Sequence, residues 1–210
     1  VSMGFGYPLG IDLPGEKRGM IPNAKYYDKA YRGSWNGLTI ISISIGQGEV
    51  TLTPLQIANL GATIANRGYY ITPHVVKSIE NDAIDTLYTQ KKYTKVDRIH
   101  YEEVVEGMRM AVTGGTCRMA NLPDIEVCGK TGTAQNRGKD HSAFMGFAPM
   151  NNPKIAIAVY VENGGFGAVY GVPIGRLMIE QYLKGELTPQ DEELATDIQN
   201  RRIDYGIHER

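Results

Sequence analysis

Three β-prone runs crowded into residues 126–163 do most to limit the fold of this chain. The runs 126–135, 142–148 and 154–163 are separated only by a polar turn at 136–140 and by 149–153, with Asn151-Asn152 at its tip. Neither connection has the roughly dozen residues that a crossover between parallel strands needs, so neighbouring strands run antiparallel. In the third run, Ile155, Ile157, Val159 and Val161 alternate with Ala156, Ala158 and Tyr160. Apolar residues on both faces mark a strand inside a covered sheet. Gly164-Gly165-Phe166-Gly167 breaks that run, and residues 172–183 read as a helix closed near Gly185, long enough to lie across the sheet. Strand–strand–strand–helix with two tight connections predicts an α+β fold, an antiparallel sheet backed by helices.

Upstream, residues 1–36 are rich in Gly, Pro and Tyr and show little periodicity. Gly10-Ile11-Asp12-Leu13-Pro14-Gly15-Glu16 reads as a short strand or extended piece ending in a Pro-Gly turn. The β-branched run 38–45, stopped by Gly46-Gln47-Gly48, reads as a short buried strand or extended segment. Thr53, then Pro54, then Gln56 three residues after the threonine, form a capping box with proline at the first helical position. The helix it opens has little polar face, is expected to be buried on most sides, and ends near Gly68. Runs 69–79 and 83–88 flank Glu80-Asn81-Asp82 and predict a peripheral hairpin. Asp97 is placed to cap a helix over about 98–112, with Val104, Val105, Met108, Ala111 and Val112 on its apolar side and Gly114-Gly115 at its end. Residues 116–125 read as a loop. From Glu186 the chain turns polar. Thr188-Pro189-Gln190-Asp191 can open a helix, and the mixed charges of 191–202 read as a solvated face or a mobile tail.

The chemistry concentrates in Val127-Cys128-Gly129-Lys130-Thr131-Gly132-Thr133-Ala134-Gln135. One cation, two hydroxyls and two glycines share a segment that reads as a strand. Glycine lets a ligand's backbone lie against a strand that side chains would otherwise wall off. Lysine offers three donors on a point charge, suited to a carboxylate or to polarising a hydroxyl. The threonine hydroxyls can donate to the same anion. Such a strand is an edge prepared for β-addition of a ligand. A phosphate-binding P-loop is excluded, because the glycine it requires five positions before Gly129 is Asp124.

Composition removes other classes. The formal net charge of −1 and the lack of any Lys/Arg cluster give no reason to expect nucleic-acid binding. No run approaches the roughly 18 apolar residues needed to cross a bilayer, and no stretch reads as a signal peptide. The opening Val1-Ser2-Met3-Gly4-Phe5-Gly6 reads as mid-domain, so the chain is expected to be a fragment or processed product. Cys117 and Cys128, with ten residues between them, could meet across a hairpin, although two buried free thiols are the simpler reading. His74, His100, His141 and His208 are scattered and read as structural or surface residues. No Cys/His pair has zinc-finger spacing, so neither a metal nor a cofactor is expected.

Three separated stretches in the right order resemble one family: residues 10–16, then Ile45-Gly46-Gln47-Gly48 with Thr53-Pro54-Leu55-Gln56, then residues 129–135. Phe147-Ala148-Pro149 and Val161-Glu162-Asn163-Gly164-Gly165 extend the likeness. The chain resembles the class B penicillin-binding proteins over about residues 4–184, and within them the elongation-type subgroup, penicillin-binding protein 2. Residues 130–132 match the Lys-Thr-Gly box of serine penicillin-recognising enzymes. The resemblance implies a partial transpeptidase domain, similar to the serine β-lactamases in fold. Residues 1–185 would be the C-terminal part of that domain and 186–210 a polar tail. It implies cross-linking of peptidoglycan stem peptides through an acyl-enzyme, with β-lactams acylating the same serine. Lys130 and Thr131 would contact the substrate's terminal carboxylate and support proton movement, and Gly132 would permit close approach. The Thr133 N–H would be half of the oxyanion hole and its hydroxyl would join the carboxylate site. Implied partners are the stem peptide, the N-terminal remainder of the same domain, and a glycan-polymerising membrane protein. The implied location is the periplasmic face of the cytoplasmic membrane.

One departure is decisive. Ser2, Ser34, Ser42, Ser44, Ser78 and Ser142 all lack a lysine three residues on, so no Ser-x-x-Lys box is present. Ser34-Trp35-Asn36 formally matches the Ser-x-Asn box, but in the family that box precedes the region matched by residues 10–16. The chain alone is therefore expected to be inactive. A related carboxypeptidase or β-lactamase, and a non-catalytic scaffold or β-lactam-sensing domain, stay open as alternatives.

Overall fold

The computed structural model describes residues 2–203 and Tyr205. Val1 and, in the tail, Asp204 and 206–210 with His208 lie outside the described residues. In chain order the elements are α1 (Ala24–Ala30), α2 (Gly37–Ser44), α3 (Pro54–Ala65), β1 (Tyr69–Tyr70), β2 (Lys92–Tyr93) and α4 (Ile99–Thr113). These are followed by β3 (Cys128–Ala134), β4 (His141–Ala148), β5 (Ile155–Val161), α5 (Gly171–Lys184) and α6 (Pro189–Asn200). The three late strands form an antiparallel sheet in the order β3-β4-β5, with Thr131 opposite Phe144 and Phe144 opposite Val159. The fold is the α+β arrangement that the turn lengths require.

Strand alternation sends Phe144, Ala148, Ile157 and Val159 to one face, where they pack with Val127, Val172 and Ile179 of α5. Cys128 and Phe147 go to the other, against Ile64 and Ala65 of α3 and Tyr101, Val105 and Met108 of α4. Phe144 and Phe147, both essentially solvent-free, anchor opposite faces. Burying each contributes roughly 1.5–3 kcal/mol. The covered-sheet expectation for β5 holds, with α3 and α5 on either side. Glycines set how closely the layers approach. A Cβ on Gly129, Gly146 or Gly175 would sit 2.4–2.7 Å from the Phe144 ring, so all three leave room for one side chain.

The capping box of α3 is present: the Gln56 N–H donates to Thr53 Oγ1 at 3.2 Å, and the Thr53 N–H donates to Gln56 Oε1 at 3.1 Å. The buried Gln56 amide then donates to the carbonyl of Arg18 at 3.0 Å, tying the irregular first segment to the helix.

Several expectations need correction. Residues 38–45 are not a buried strand; they form α2, capped by the Asn36 side chain, with Leu38, Ile41 and Ile45 61–75% exposed. An exposed apolar stripe thus lies on α2. Residues 10–16 form no strand. The Glu16 carboxylate accepts the N–H groups of Gly10 and Ile11 at 2.9 and 3.2 Å and curls the segment on itself. The hairpin at 80–82 shrinks to one bridge between Ile79 and Asp82, because 86–88 is a single 3-10 turn and β1 pairs with β2 instead. Asp97 does not cap α4. Its backbone carbonyl accepts the His100 N–H at 3.1 Å, and Arg98, already in helical conformation, stands at the cap position. The tail is not loose over 189–200: α6 docks on α5 through Asp191, which is 1% exposed, while Glu192, Glu193 and Asp197 face solvent.

Candidate functional site

The site grows from the unpaired edge of β3. β4 lies on one side of this strand, and no strand lies on the other among the described residues. The Thr133 carbonyl accepts a bond from Gln47, so it faces that free edge. A residue's N–H and C=O lie on the same side of an extended strand, so the Thr133 N–H points there too.

Side-chain alternation then divides the predicted residues. Thr131 and Thr133 lie on the α5 face, opposite Phe144 and Ser142; Lys130 and Gly132 lie on the α3 face, opposite Met145 and Ala143. Thr131 and Thr133 line a cavity of about 390 Å³ together with Thr116, Arg118, Met119 and Phe166. The hydroxyls of Thr116 and Thr131 are 2.9 Å apart. Phe166 of this lining is 71% exposed. Lys130 does not line this cavity. Its ammonium donates to the Thr131 carbonyl at 2.8 Å, which holds it at the strand edge. A Cβ on Gly132 would stand 3.2 Å from the Ala143 Cβ, so this glycine also eases a tight approach to the neighbouring strand.

Four contributors were not legible in the sequence as site residues: Gln47, Thr116, Arg118 and Phe166. Gln47 stands between Gly46 and Gly48, both at positive φ (78° and 69°), in a turn that pushes the amide outward. Its Nε2 donates to the Thr133 carbonyl at 2.9 Å, and its Oε1 lies 3.5 Å from the Gln135 nitrogen. Thr116 and Arg118 arrive because α4 stops at Gly114 and the next turn folds back on β3. The segment 10–16 does not line this cavity. Asp12 accepts the N–H groups of Val75 and Val76 at 2.9 Å, bonds that draw its carboxyl below the usual range, the Val76 bond most.

Both cysteines are free and buried. Burial pushes the Cys128 thiol up to about 11. Burial also raises Cys117, against the opposing hydrogen bonds of Thr116 and Thr131. Neither is a ready nucleophile at neutral pH. Two of the histidines have hydrogen-bond partners: His74 Nδ1 is 2.8 Å from the Thr72 carbonyl, and His141 Nδ1 accepts the Asn163 N–H at 3.0 Å. Among the described residues no three His, Cys, Asp or Glu side chains group as a metal site, and no helix is long and apolar enough to cross a membrane.

The geometry is that of an open strand edge with an anion-compatible cavity beside it, and comparison with known proteins finds the same architecture. The profile of the penicillin binding protein transpeptidase domain matches residues 2–179. Peptidoglycan D,D-transpeptidase MrdA of Acinetobacter baumannii is 35% identical over 186 residues, covering 79% of this chain and 28% of that protein. The crystal structure of penicillin-binding protein 2 from Pseudomonas aeruginosa superposes with a TM-score of 0.78 at 34% identity, over 90% of this chain and 43% of that one. Penicillin-binding protein 2 from Helicobacter pylori, solved as a complex with MreC, gives a TM-score of 0.74 at 28% identity, over 89% of this chain and 35% of that one. The chain spans about a third of the length of the curated relatives it matches.

Proposed function

The chain belongs to the penicillin-binding protein transpeptidase family, and from that premise we propose that its β3 edge is the carboxylate-binding wall of a peptidoglycan D,D-transpeptidase. Residues 1–185 would be the C-terminal part of the catalytic domain, with 186–210 appended to it. One observation carries the reading. The backbone of Thr133 faces an open edge, next to the hydroxyls of Thr131 and Thr133.

In this account a D-Ala-D-Ala stem peptide lies along β3 by β-addition. Thr131 and Thr133 hydroxyls donate to the terminal carboxylate. The Thr133 N–H donates to the carbonyl oxygen of the penultimate D-Ala as it becomes an oxyanion, one preorganised donor of the pair such chemistry uses. A serine attacks that carbonyl, D-Ala departs as the amine, and the amine of a second stem peptide takes the acyl group and frees the serine. Lys130, held at the edge by the Thr131 carbonyl, supports the proton transfers. β-Lactams would acylate the same serine.

The serine must come from outside these 210 residues, since none here has a lysine three positions on. The exposed Leu38, Ile41 and Ile45 of α2 support the same view, as a surface that the remainder of the domain would cover. The Helicobacter complex with MreC supports a comparable partner for the parent of this chain, working at the periplasmic face of the membrane beside a glycan polymerase. Labelling with a fluorescent penicillin tests the reading. A longer polypeptide that supplies the Ser-x-x-Lys box should be labelled and should lose labelling rate on Thr133→Pro, which removes the N–H. The 210-residue chain alone should show no adduct stable to denaturing electrophoresis. A stable adduct on that chain would overturn the proposal.

A further inference from the structure

The cavity beside β3 holds a cation that the β3 motif does not supply. Thr116, Thr131 and Thr133 line the cavity together with Arg118, an exposed residue, and no carboxylate residue lines it. Three arginines near the sheet are spent on structure: Arg176 on Asp191 at 2.8 Å, Arg67 on Glu102 at 3.2 Å, and Arg109 on the Val127 carbonyl at 2.9 Å; of the arginines, Arg118 is the one that lines this cavity. The Arg118 side chain makes no hydrogen bond or ion pair among the described residues, while its backbone is fixed in a 3-10 turn, Arg118–Ala120. Lys130 projects from the opposite face of β3, and its ammonium is engaged with the Thr131 carbonyl.

We propose that Arg118, and not Lys130, is the charge partner of the substrate carboxylate bound by the Thr131 and Thr133 hydroxyls. This deepens the reading of the β3 edge given above and rests on it. A guanidinium presents paired N–H groups that match the two oxygens of a carboxylate, whereas an ammonium acts as a point charge. Thr116, bonded to Thr131, completes the donor set, and Met119 and Phe166 give the aliphatic part of a D-residue an apolar wall. Lys130 is left at the edge for proton transfer. Arg118 thereby selects ligands that end in a free carboxylate over neutral ones.

Titrating the chain with an Nα,Nε-diacetyl-Lys-D-Ala-D-Ala peptide and with its C-terminal carboxamide, read by backbone amide shifts, tests the assignment. Wild type should bind the acid about tenfold more tightly than the amide, with a gap that narrows as salt is raised. Arg118→Gln should bring that gap below about twofold while leaving amide affinity unchanged, and Arg118→Lys should restore part of it. A gap that survives Arg118→Gln, or that Lys130→Gln closes instead, would overturn the assignment. Equal wild-type affinity for acid and amide would defeat the Arg118 assignment alone. Failure of wild type to bind either peptide would defeat the β3-edge reading and this inference with it.

Discussion

The carboxamide of Gln47 lies on the free edge of β3, its Nε2 donating to the Thr133 carbonyl at 2.9 Å across 86 residues of sequence. A side-chain amide has the donor and acceptor of a peptide group, so Gln47 occupies a backbone position that an added strand would use. A peptide pairing with β3 must displace it. The bond is neutral and part-buried, worth roughly 0.5–1.5 kcal/mol net. Gln47→Ala should therefore tighten binding of a D-Ala-D-Ala peptide about two- to tenfold, measured by calorimetry. Weaker binding would mean that Gln47 instead holds the edge in its binding shape.

The Phe144 ring fixes the spacing between α5 and the sheet. A Cβ at Gly175 would approach its Cδ1 to 2.4 Å, with Ile157 only 3.2 Å away. Gly175→Ala should cost roughly 1–3 kcal/mol despite the better helix propensity of alanine, seen as a lower urea midpoint. At Gly61 of α3 the nearest atom is the Met145 Cγ at 3.3 Å, part of a flexible side chain. Gly61→Ala should come out near neutral.

Asp191 docks α6 against α5. Burial raises its carboxyl, but the Arg176 guanidinium, whose Nε donates to both carboxylate oxygens at 2.8 and 2.9 Å, more than offsets this and holds it below the usual carboxylate range. A folded value below the unfolded one gives stabilisation that is complete above about pH 3.8 and is lost as pH falls through the folded value. Amide protection in α6 should be flat from pH 7 to pH 5 and disappear only in stronger acid. Asp191→Ala leaves Arg176 without its buried partner and should destabilise the helix contact by about 3 kcal/mol, read by amide exchange at neutral pH.

The α2 stripe of Leu38, Ile41 and Ile45 makes no buried contact in this chain. Replacing Leu38 and Ile41 by serine should change unfolding free energy by no more than about 0.5 kcal/mol each. The same replacements should reduce self-association in sedimentation. A large loss of stability would place these residues in a core instead.

The sheet and its backing helix were legible because strand period, turn chemistry and connection length all agreed over 126–183. The α3 start was legible for a similar reason, since Thr53, Pro54 and Gln56 are one local device. Residues 38–45 misled because a short β-branched apolar run carries no usable period; the Asn36 cap, which donates nothing to a hydrophobic pattern, decided for helix. Gly129 looked like room for a ligand, but its space is filled by Phe144 from the neighbouring strand. The candidate site was legible only on β3. Arg118 and Gln47 reach it through the turn after α4 and the 46–48 turn, and no local pattern reports such contacts.

The central claim is that a peptide ending in D-Ala-D-Ala pairs with the open edge of β3. Backbone amide shifts of the isolated chain, followed through a titration with that peptide, test it most directly. Saturable shifts should concentrate on Thr131, Gly132, Thr133 and Gln135, with the Thr133 amide moving most. Saturation with those amides unmoved, or shifts confined to another surface, would contradict it.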